Sequence, residues 1–522
     1  MTIQDSRRGV AVRQAFNPYL PAGEYVPDAE PHVFGDRVYI YGSHDRFGAP
    51  MFCINDYVCW SAPVDDLTDW RYEGVIFRKE QDSKNRFGLR LLFAPDVVQG
   101  DDGRYYMYYA FDFMGIMGVA VADSPTGPFQ FHGHVHYADG TIWGRKEGDS
   151  FPFDPGALVD DDGRVFLFSG FYTPVPAVVT GLRKLGFEGG YVLELESDMT
   201  TIKTPEKLLF PKEGEGSFQG HEFFEASSIR KWDGHYYFVY SSRLNHELCY
   251  AVSDKPDSGY VYGGTLVSIG DVGLNGHADE KSASNYTGNT HGGMLRVGDD
   301  FYTFYHRQTN RSSYARQACA EHLDASQDER GIWHFNQAEV TSCGLNGGAL
   351  AGRGTYEARI ACNLWSADGA GRYDGSGVAK RLVAHPYFTQ DAKDTDPDVT
   401  GRISVTQHIA NMRDGATAGF KYFDFCGTAE MKLSLRLTVR AHCKDKAPGT
   451  AQGVMVVSSD TKGDGVLARV PIRLAGIEWK STETVPMRSP NGVAPLYFTY
   501  KGDGVVDFLD FGIGHDTEGD VC

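Results

Sequence analysis

The chain has 522 residues, 41% of them hydrophobic, which is enough for a sizeable core and for more than one domain. Its formal net charge of −19 argues against nucleic acid or an anionic membrane as partner, because phosphate binding needs a basic face. The acidic residues are spread along the chain, a pattern that is typical of a solvated surface.

The N-terminal residues and the cysteines bear on the compartment. Residues 2–8 are polar and no apolar segment follows them, unlike a signal peptide, and no stretch is apolar for long enough to span a bilayer. The nine cysteines are scattered and form no Cys-x-x-Cys pair, which favours reduced thiols over a disulfide framework or a zinc site. We therefore expect a cytoplasmic protein.

A recurring unit organises the chain as far as residue 342. An extended arm over residues 9–30 leads into it, and each unit has a titratable residue, an apolar run, a glycine turn and an aromatic strand. The turn glycines lie 60 to 71 residues apart at Gly35, Gly103, Gly163, Gly234 and Gly298. A period of that length predicts four-stranded blades, and hence a five-bladed β-propeller whose fifth blade runs to about Phe335.

The composition changes at the glycine-rich segment 343–348, so we place a domain boundary near residue 342. Residues 1–342 are predicted to form the propeller, and residues 343–522 a connector and an accessory domain. Short strands separated by Gly and Asp turns predict a β-sandwich in the second region. These strands are expected at 403–409, 419–425, 433–439, 453–457, 466–474, 495–500 and 505–513. The predicted fold class is all-β.

A titratable side chain lies seven or nine residues before each turn glycine, at Asp28, Asp96, Asp154, Glu225 and His291. If the strand before each turn is the innermost of its blade, all five start at the same mouth of the central channel. Carboxyls that converge in this way suit glycoside cleavage, because that reaction needs one protonated carboxyl to protonate the leaving oxygen and one carboxylate to activate water. Glu222 competes with Glu225 for the first role, but alternating residues of a strand face opposite ways, and we favour Glu225.

Five motifs, in order, resemble those of glycoside hydrolase family 43, whose fold is a five-bladed β-propeller. They are Pro27-Asp28-Ala29-Glu30-Pro31, Phe93-Ala94-Pro95-Asp96-Val97, Phe153-Asp154-Pro155 with Asp160-Asp161-Asp162-Gly163, Phe224-Glu225-Ala226 with Ile229-Arg230-Lys231, and His291-Gly292. The resemblance covers roughly residues 15–340. Two departures stand out: Ala226-Ser227 replaces the family's Gly-Pro after the glutamate, and Phe93 replaces a tryptophan.

The resemblance implies roles for individual residues. Asp28 would be the general base, Glu225 the general acid, and Asp154 the carboxylate that orients the acid and raises its pKa. Asp96 matches a motif position outside the catalytic three. Arg316, in Tyr314-Ala315-Arg316-Gln317, resembles a substrate-contacting arginine.

His291 resembles the family's channel histidine, which is often near a bound calcium, and it is predicted either beside Ca²⁺ or as an ordinary channel residue. Because calcium prefers oxygen ligands, a single histidine is at most a weak or outer contact. Phe93, Phe113 and Trp143 are candidates for a sugar platform, with blade packing as the alternative. No organic cofactor is expected.

The C-terminal region, in particular Asn411–Phe423 and Trp479, is similar to family 6 carbohydrate-binding sandwiches. Either glycan binding or a purely structural role is compatible with that similarity.

Together these features predict an inverting exo-glycosidase that removes arabinofuranosyl or xylosyl units from oligosaccharides. Base and acid on blades one and four would lie roughly 6.5–9.5 Å apart, the separation that admits a water and gives inversion. The alternatives are a galactofuranosidase or other furanosidase, a non-catalytic glycan-binding propeller, and a protein-interaction propeller. Convergent carboxyls count against the last of these.

Overall fold

The structure, a computed structural model, describes residues 2–5, 10–176, 178, 180–211, 213, 216–372, 384–392, 405–426 and 432–515. These residues form strands and short 3₁₀ helices, the latter at Lys79–Gln81, Gly216–Phe218, Gly344–Asn346 and Ala358–Ile360. None of the described helices has the length and apolar character needed to cross a membrane.

The blades are antiparallel meanders that follow a short hairpin of β1 (Thr2–Asp5) and β2 (Val10–Arg13). Blade 1 contains β3 (Glu30–Phe34), β4 (Arg37–Tyr41), β5 (Tyr57–Pro63) and β6 (Arg71–Phe77), and blade 2 contains β7 (Leu92–Gln99), β8 (Tyr105–Phe111), β9 (Met117–Ala122) and β10 (Gln130–His134). Blade 3 contains β11 (Gly156–Val159), β12 (Val165–Gly170), β13 (Gly189–Leu195) and β14 (Ile202–Pro211), and blade 4 contains β15 (Phe223–Trp232), β16 (His235–Ser242), β17 (Glu247–Ser253) and β18 (Val261–Ser268). Blade 5 contains β19 (Met294–Val297), β20 (Asp300–Thr309) and β21 (Ser312–Leu323). The predicted five-bladed propeller is confirmed.

The first strand of each blade lies at the centre. β3, β7, β11 and β15 contact one another in sequence, and β19 contacts β3 to close the ring. A bridge between Ala29 and Gly292 joins the first and last blades. The turns that follow the inner strands use left-handed glycines, with φ of +80° at Gly103 and +78° at Gly163, as the repeat predicted. The start of every inner strand therefore faces one end of the channel.

The N-terminal arm lies along the outer edge of blade 5. The Asn17 N–H donates to the Ser342 carbonyl at 3.0 Å, and the Tyr19 N–H donates to the Ala318 carbonyl at 3.3 Å. The side-chain amide of Asn17 donates to the Ala320 carbonyl at 2.9 Å. The arm thus occupies the place of a fourth strand beside β21, and it ties the two ends of the propeller together.

Blade 5 does not continue to Phe335 as predicted. β22 (Ala325–Gln327) and β23 (Trp333–Phe335) form a separate two-stranded sheet. Phe335 packs in a buried cluster with Tyr237 and Tyr250 of blade 4, because its aromatic ring completes the apolar contact between blades 4 and 5.

A β-sandwich follows, with strands β24 (Leu350–Ala351), β25 (Gly354–Glu357), β26 (Asn363–Trp365), β27 (Tyr387–Gln390), β28 (Gln407–Met412), β29 (Thr417–Asp424), β30 (Lys432–Ala441), β31 (Thr450–Ser458), β32 (Val466–Ala475), β33 (Lys480–Ser481), β34 (Val485–Arg488), β35 (Val493–Gly504) and β36 (Val506–His515). One sheet has the order β24-β29-β35-β31-β32 with β26 on β29. The other has the order β27-β28-β36-β30-β33 with β25 on β36 and β34 on β30. The predicted strand 403–409 falls partly outside the described residues. The boundary near residue 342 stays a prediction.

Alternating apolar residues of the two sheets form one core, which includes Phe420, Phe498 and Phe511. The sandwich is joined to the propeller by buried polar contacts. Lys421 Nζ lies 3.0 Å from an Asp271 carboxylate oxygen and 2.9 Å from a Glu339 one, with the lysine side chain 3% exposed. Removing either partner of such a buried pair leaves an uncompensated charge, so these contacts hold the two regions in one arrangement.

Candidate active site

A cavity of about 280 Å³ lies at the mouth of the channel where the inner strands begin. The three predicted catalytic carboxyls, Asp28, Asp154 and Glu225, all line it. Phe93, Phe113, His291 and Arg316 line it as well. The structure therefore brings together seven of the side chains that the sequence analysis named as site residues.

The backbone is left-handed, and therefore strained, at two of the carboxyl residues and directly after the third. Asp28 has φ of +58°, Asp154 has φ of +44°, and Ala226, directly after Glu225, has φ of +72°. Left-handed conformations of this kind cost non-glycine residues of order 1–3 kcal/mol each and persist where the surroundings enforce them. Ala226 takes a left-handed conformation that a glycine would adopt without strain, so alanine at this position adds strain while Glu225 still lines the cavity.

Asp28 is buried among positive and polar groups. Arg316 Nη1 donates to its Oδ1 at 2.7 Å, and Nδ1 of His306 lies 3.3 Å from the same oxygen. Burial by itself raises the pKa of Asp28, but the Arg316 guanidinium outweighs it and holds the pKa well below its usual range. Asp28 is therefore an ionised carboxylate at neutral pH.

Arg316 is itself fixed by Asp45, a residue that the sequence did not single out. Arg316 Nε donates to Asp45 Oδ2 at 2.8 Å, and its Nη2 donates to Asp45 Oδ1 at 3.0 Å. This bidentate pair leaves Nη1 for Asp28. Asp45 lies in a loop of blade 1 without any repeated motif, so no sequence signal pointed to it.

Glu225 has the opposite electrostatic state. Burial, followed by the negative charge of Asp28, raises the pKa of Glu225 to about 8, although Arg316 opposes the shift. The pairing of β15 with β16 shifts register on both sides of Glu225, which breaks strict alternation of faces at this point. Glu222 accepts a hydrogen bond from the Gly220 N–H at 3.0 Å, and of these two glutamates it is Glu225 that lines the cavity among the described residues.

Asp154 lies between the acid and His291. Its Oδ2 accepts a hydrogen bond from the Ala226 N–H at 3.3 Å and lies 3.5 Å from His291 Nδ1. Burial, followed by Glu225 and Asp28, raises the pKa of Asp154 well above its ordinary value. The contact to Ala226 fits the predicted orienting role. The charge that raises the pKa of Glu225 comes from Asp28, so the predicted pKa effect of Asp154 stays a prediction.

Asn289 and His291 line the cavity, and His306 lies beside Asp28. His306 Nε2 donates to the Asn289 carbonyl at 2.8 Å, which positions its other ring nitrogen at Asp28. His291 is 4% exposed, and burial lowers its pKa to about 4 against the attraction of Asp28. Both rings therefore sit neutral beneath the site at pH 7.

One wall of the cavity is aromatic. The rings follow one another from Phe93 to Phe153 at 5.4 Å, on to Phe171 at 4.8 Å, and on to Phe224 at 5.7 Å. Phe113 stands in front of them with 37% of its surface exposed. Phe153 and Phe224 were not named as platform candidates, although each directly precedes a carboxyl of the cavity. Phe52 and Phe171, which also line the cavity, lie in loops without such a signal.

Trp143 does not belong to this wall, which corrects its predicted stacking role. It is 1% exposed and packs among Tyr108 and Leu167, between blades 2 and 3. Its Nε1 donates to Glu206 Oε2 at 2.8 Å. A side chain so enclosed stabilises the contact between blades instead of presenting a face to sugar.

Asp96 also differs from its four counterparts in the repeat. It accepts hydrogen bonds from His32 Nε2 at 2.6 Å and from the Ala157 N–H at 2.7 Å. Near it, Arg230 Nη2 donates to Glu30 Oε2 at 2.8 Å. Asp96 therefore belongs to a buried polar group deeper in the channel, in agreement with the family pattern and against convergence of all five residues.

The comparisons with known proteins agree on one family. A family model described as "Glycosyl hydrolases family 43" matches residues 17–330. Over 503 residues the chain is 44% identical to a xylosidase/arabinosidase of Thermoclostridium stercorarium, covering 96% of this chain and 98% of that protein. A xylosidase/arabinosidase of Bacteroides ovatus is 30% identical over 279 residues, covering 48% of this chain and 80% of that protein.

Among solved structures, one neighbour is a glycoside hydrolase family 43 arabinoxylan arabinofuranohydrolase from Bacillus subtilis in complex with cellotetraose. It has a TM-score of 0.45 and 18% identity, and the match covers 98% of each chain.

The raised pKa of Glu225 predicts a pH-dependent stability. Between about pH 4.5 and 8 the folded chain binds a proton at Glu225 that the unfolded chain lacks, so this group's stabilisation is lost as pH rises through that window. Glu225→Gln cannot ionise. The thermal midpoint of the variant, measured relative to that of wild type, should therefore rise from pH 5 to pH 8. The corresponding change in the free energy of unfolding is at least about 1 kcal/mol.

Differential scanning calorimetry of both proteins across this pH range measures the effect. Glu483→Gln, at an exposed position of the sandwich, is the matched control. A difference between Glu225→Gln and wild type that stays flat with pH would contradict a protonated Glu225.

Proposed function

Because the chain belongs to glycosyl hydrolases family 43, we propose that it is an inverting exo-glycosidase that releases single arabinofuranosyl or xylosyl units from oligosaccharides. The observation that carries this proposal is the pair of opposite charge states around one cavity. Asp28 is held ionised and Glu225 is held protonated, which are the states that a base and an acid need before reaction.

The chemistry follows from these two states. Glu225 donates its proton to the glycosidic oxygen while the bond from that oxygen to the anomeric carbon breaks. Asp28 accepts a proton from a water, whose oxygen forms the new bond on the opposite face of the sugar. Asp154 holds the backbone beside the acid through the Ala226 N–H. Proton exchange with solvent then returns both carboxyls to their starting states.

The shape of the site supports action at a chain end. A cavity of about 280 Å³ is near the lower limit for small-molecule sites. A cavity of this size accommodates a terminal sugar ring better than several rings of a polysaccharide chain. The two xylosidase/arabinosidase relatives favour a pentose for that ring.

We also propose that a hydrated Ca²⁺ can bind beneath the pocket. Two buried atoms there, His291 Nε2 and Glu30 Oε1, have no hydrogen-bond partner among the described residues. Arg230 Nη2 donates to the other Glu30 oxygen, so the donor set fits a cation that keeps most of its waters better than a complete protein cage. A cation there would add positive charge that favours ionised Asp28. The cytoplasmic location stays a prediction.

The acid assignment predicts a dependence on the leaving group. Glu225→Gln should lower kcat by about 10²–10⁴-fold on pentose oligosaccharides, because their leaving oxygen needs a proton. The decrease in kcat should be much smaller on dinitrophenyl pentosides, whose leaving groups need little protonation. Steady-state kinetics on both substrates, with nitrophenyl arabinofuranoside, xyloside and galactofuranoside as a sugar screen, measures this.

Glu222→Gln, altered three residues earlier outside the cavity, is the matched control. Equal losses by Glu225→Gln on both kinds of leaving group would show that another residue is the acid.

The calcium proposal predicts an effect of chelation. Dialysis against EGTA should lower the thermal midpoint by a few degrees, and added Ca²⁺ should restore it, because a ligand bound to the folded state stabilises it. Mg²⁺ at the same concentration is the control, since it demands a tighter octahedral shell. An unchanged midpoint would leave His291 as an ordinary channel histidine.

A further inference from the structure

Part of the cavity rim comes from beyond the propeller strands. Arg372, which follows the short strand β26, lines the cavity together with Asn245 of blade 4. The aromatic rings of the wall, from Phe93 to Phe224, line the same cavity. The cavity thus has one apolar side and one rim of hydrogen-bonding groups, the combination that recognises a sugar ring and its hydroxyls.

Arg372 is held in place by the propeller. Its Nη1 donates to the Leu244 carbonyl at 3.1 Å and to Glu280 Oε1 at 2.5 Å. Its backbone forms a parallel bridge with Thr287, and the Thr287 N–H donates to the Gly371 carbonyl at 3.0 Å. The arginine side chain is 29% exposed. A guanidinium fixed at one nitrogen in this way presents its other nitrogens in a defined direction.

This rim lies on the acid side of the cavity. Glu225 of β15 is paired with Ser241 of β16, and the chain turns just beyond Ser241 at residues 242–246. The turn carries Leu244, which holds Arg372, and Asn245. The base Asp28 is flanked instead by Arg316 on the side of blades 5 and 1. Since the acid must touch the departing oxygen, groups beside Glu225 face the leaving group.

We propose that Arg372 determines specificity by binding hydroxyl groups of the sugar on the leaving side of the scissile bond. Among the described residues, the hydrogen bonds of its side chain both use Nη1, so Nε and Nη2 remain to donate to substrate. Asn245 also lines the cavity, and its side-chain oxygen Oδ1 has no hydrogen-bond partner in the described part of the chain. Such a donor and acceptor pair suits the vicinal hydroxyls of a sugar.

The inference rests on the proposed function and extends it. It assigns the segment that follows β26 of the sandwich a direct role in substrate choice: the terminal sugar is recognised by propeller residues, while the next sugar contacts Arg372. A nitrophenyl leaving group has no hydroxyls to offer, so it does not use this contact. Substrates that differ only in the leaving group therefore isolate the effect of Arg372.

The experiment compares Arg372→Ala with wild type on xylobiose or an arabinofuranosyl xylo-oligosaccharide and on the matching nitrophenyl pentoside. The loss of kcat/KM on the oligosaccharide should exceed the loss on the nitrophenyl pentoside by at least about tenfold, as expected for hydrogen bonds from a charged donor. Arg372→Lys should recover part of the difference. Arg330→Ala, at a side chain that is 72% exposed, is the matched control.

Equal losses on both substrates, or no loss on the oligosaccharide, would overturn the inference and leave Arg372 as a brace for the 242–246 turn. If the wild-type enzyme cleaves no pentoside, the proposed function fails instead. Calorimetry then decides the inference: Arg372→Ala should weaken xylobiose binding about tenfold more than xylose binding, and an equal effect on both would contradict it.

Discussion

The site depends on one buried charge balance. Arg316, held by Asp45, keeps Asp28 ionised in a place where burial alone would favour its neutral form. That charge, together with burial, keeps Glu225 protonated across the cavity. The charge of Asp28 thus helps to set the state of Glu225, and the arginine determines that Asp28 carries the charge. Without Arg316 the cavity would hold three buried carboxyls with no reason to assign base and acid differently.

The propeller makes this balance possible because each blade brings one strand start to the same mouth. Blades 1, 3 and 4 supply the carboxyls, blade 5 supplies His291 and Arg316, and the arm beside β21 fixes the ring. The sandwich region contributes Arg372 to the rim of the cavity. Its first segment pairs with residues 284–287, directly before Asn289 and His291. Loss of that pairing would loosen both the base of the cavity and the rim that carries Arg372.

The sequence predicted the blades, because period-two strands and glycine turns are local signals that survive into the fold. It also predicted the three carboxyls, His291, Arg316 and Phe93, since each lies in a motif, and it named Phe113 as an aromatic candidate without a motif. The prediction that Trp143 stacks on sugar was wrong, because aromatic character alone does not distinguish a packed ring from an exposed one. Asp96 has a spacing to its turn glycine like that of the other acids, yet it forms a hydrogen bond with His32 and does not reach the cavity. Asp45, Phe171 and Arg372 reach the site through loops and long-range contacts, which no local pattern encodes.

The central claim is that Asp28 activates water directly while Glu225 protonates the leaving oxygen from the other side. Proton NMR of the sugar released in the first minutes of hydrolysis, before mutarotation, tests this most directly. The account predicts that the new anomer is opposite to that of the substrate, with no covalent sugar on the enzyme. A retained anomer, or a glycosyl group trapped on Asp28, would contradict it.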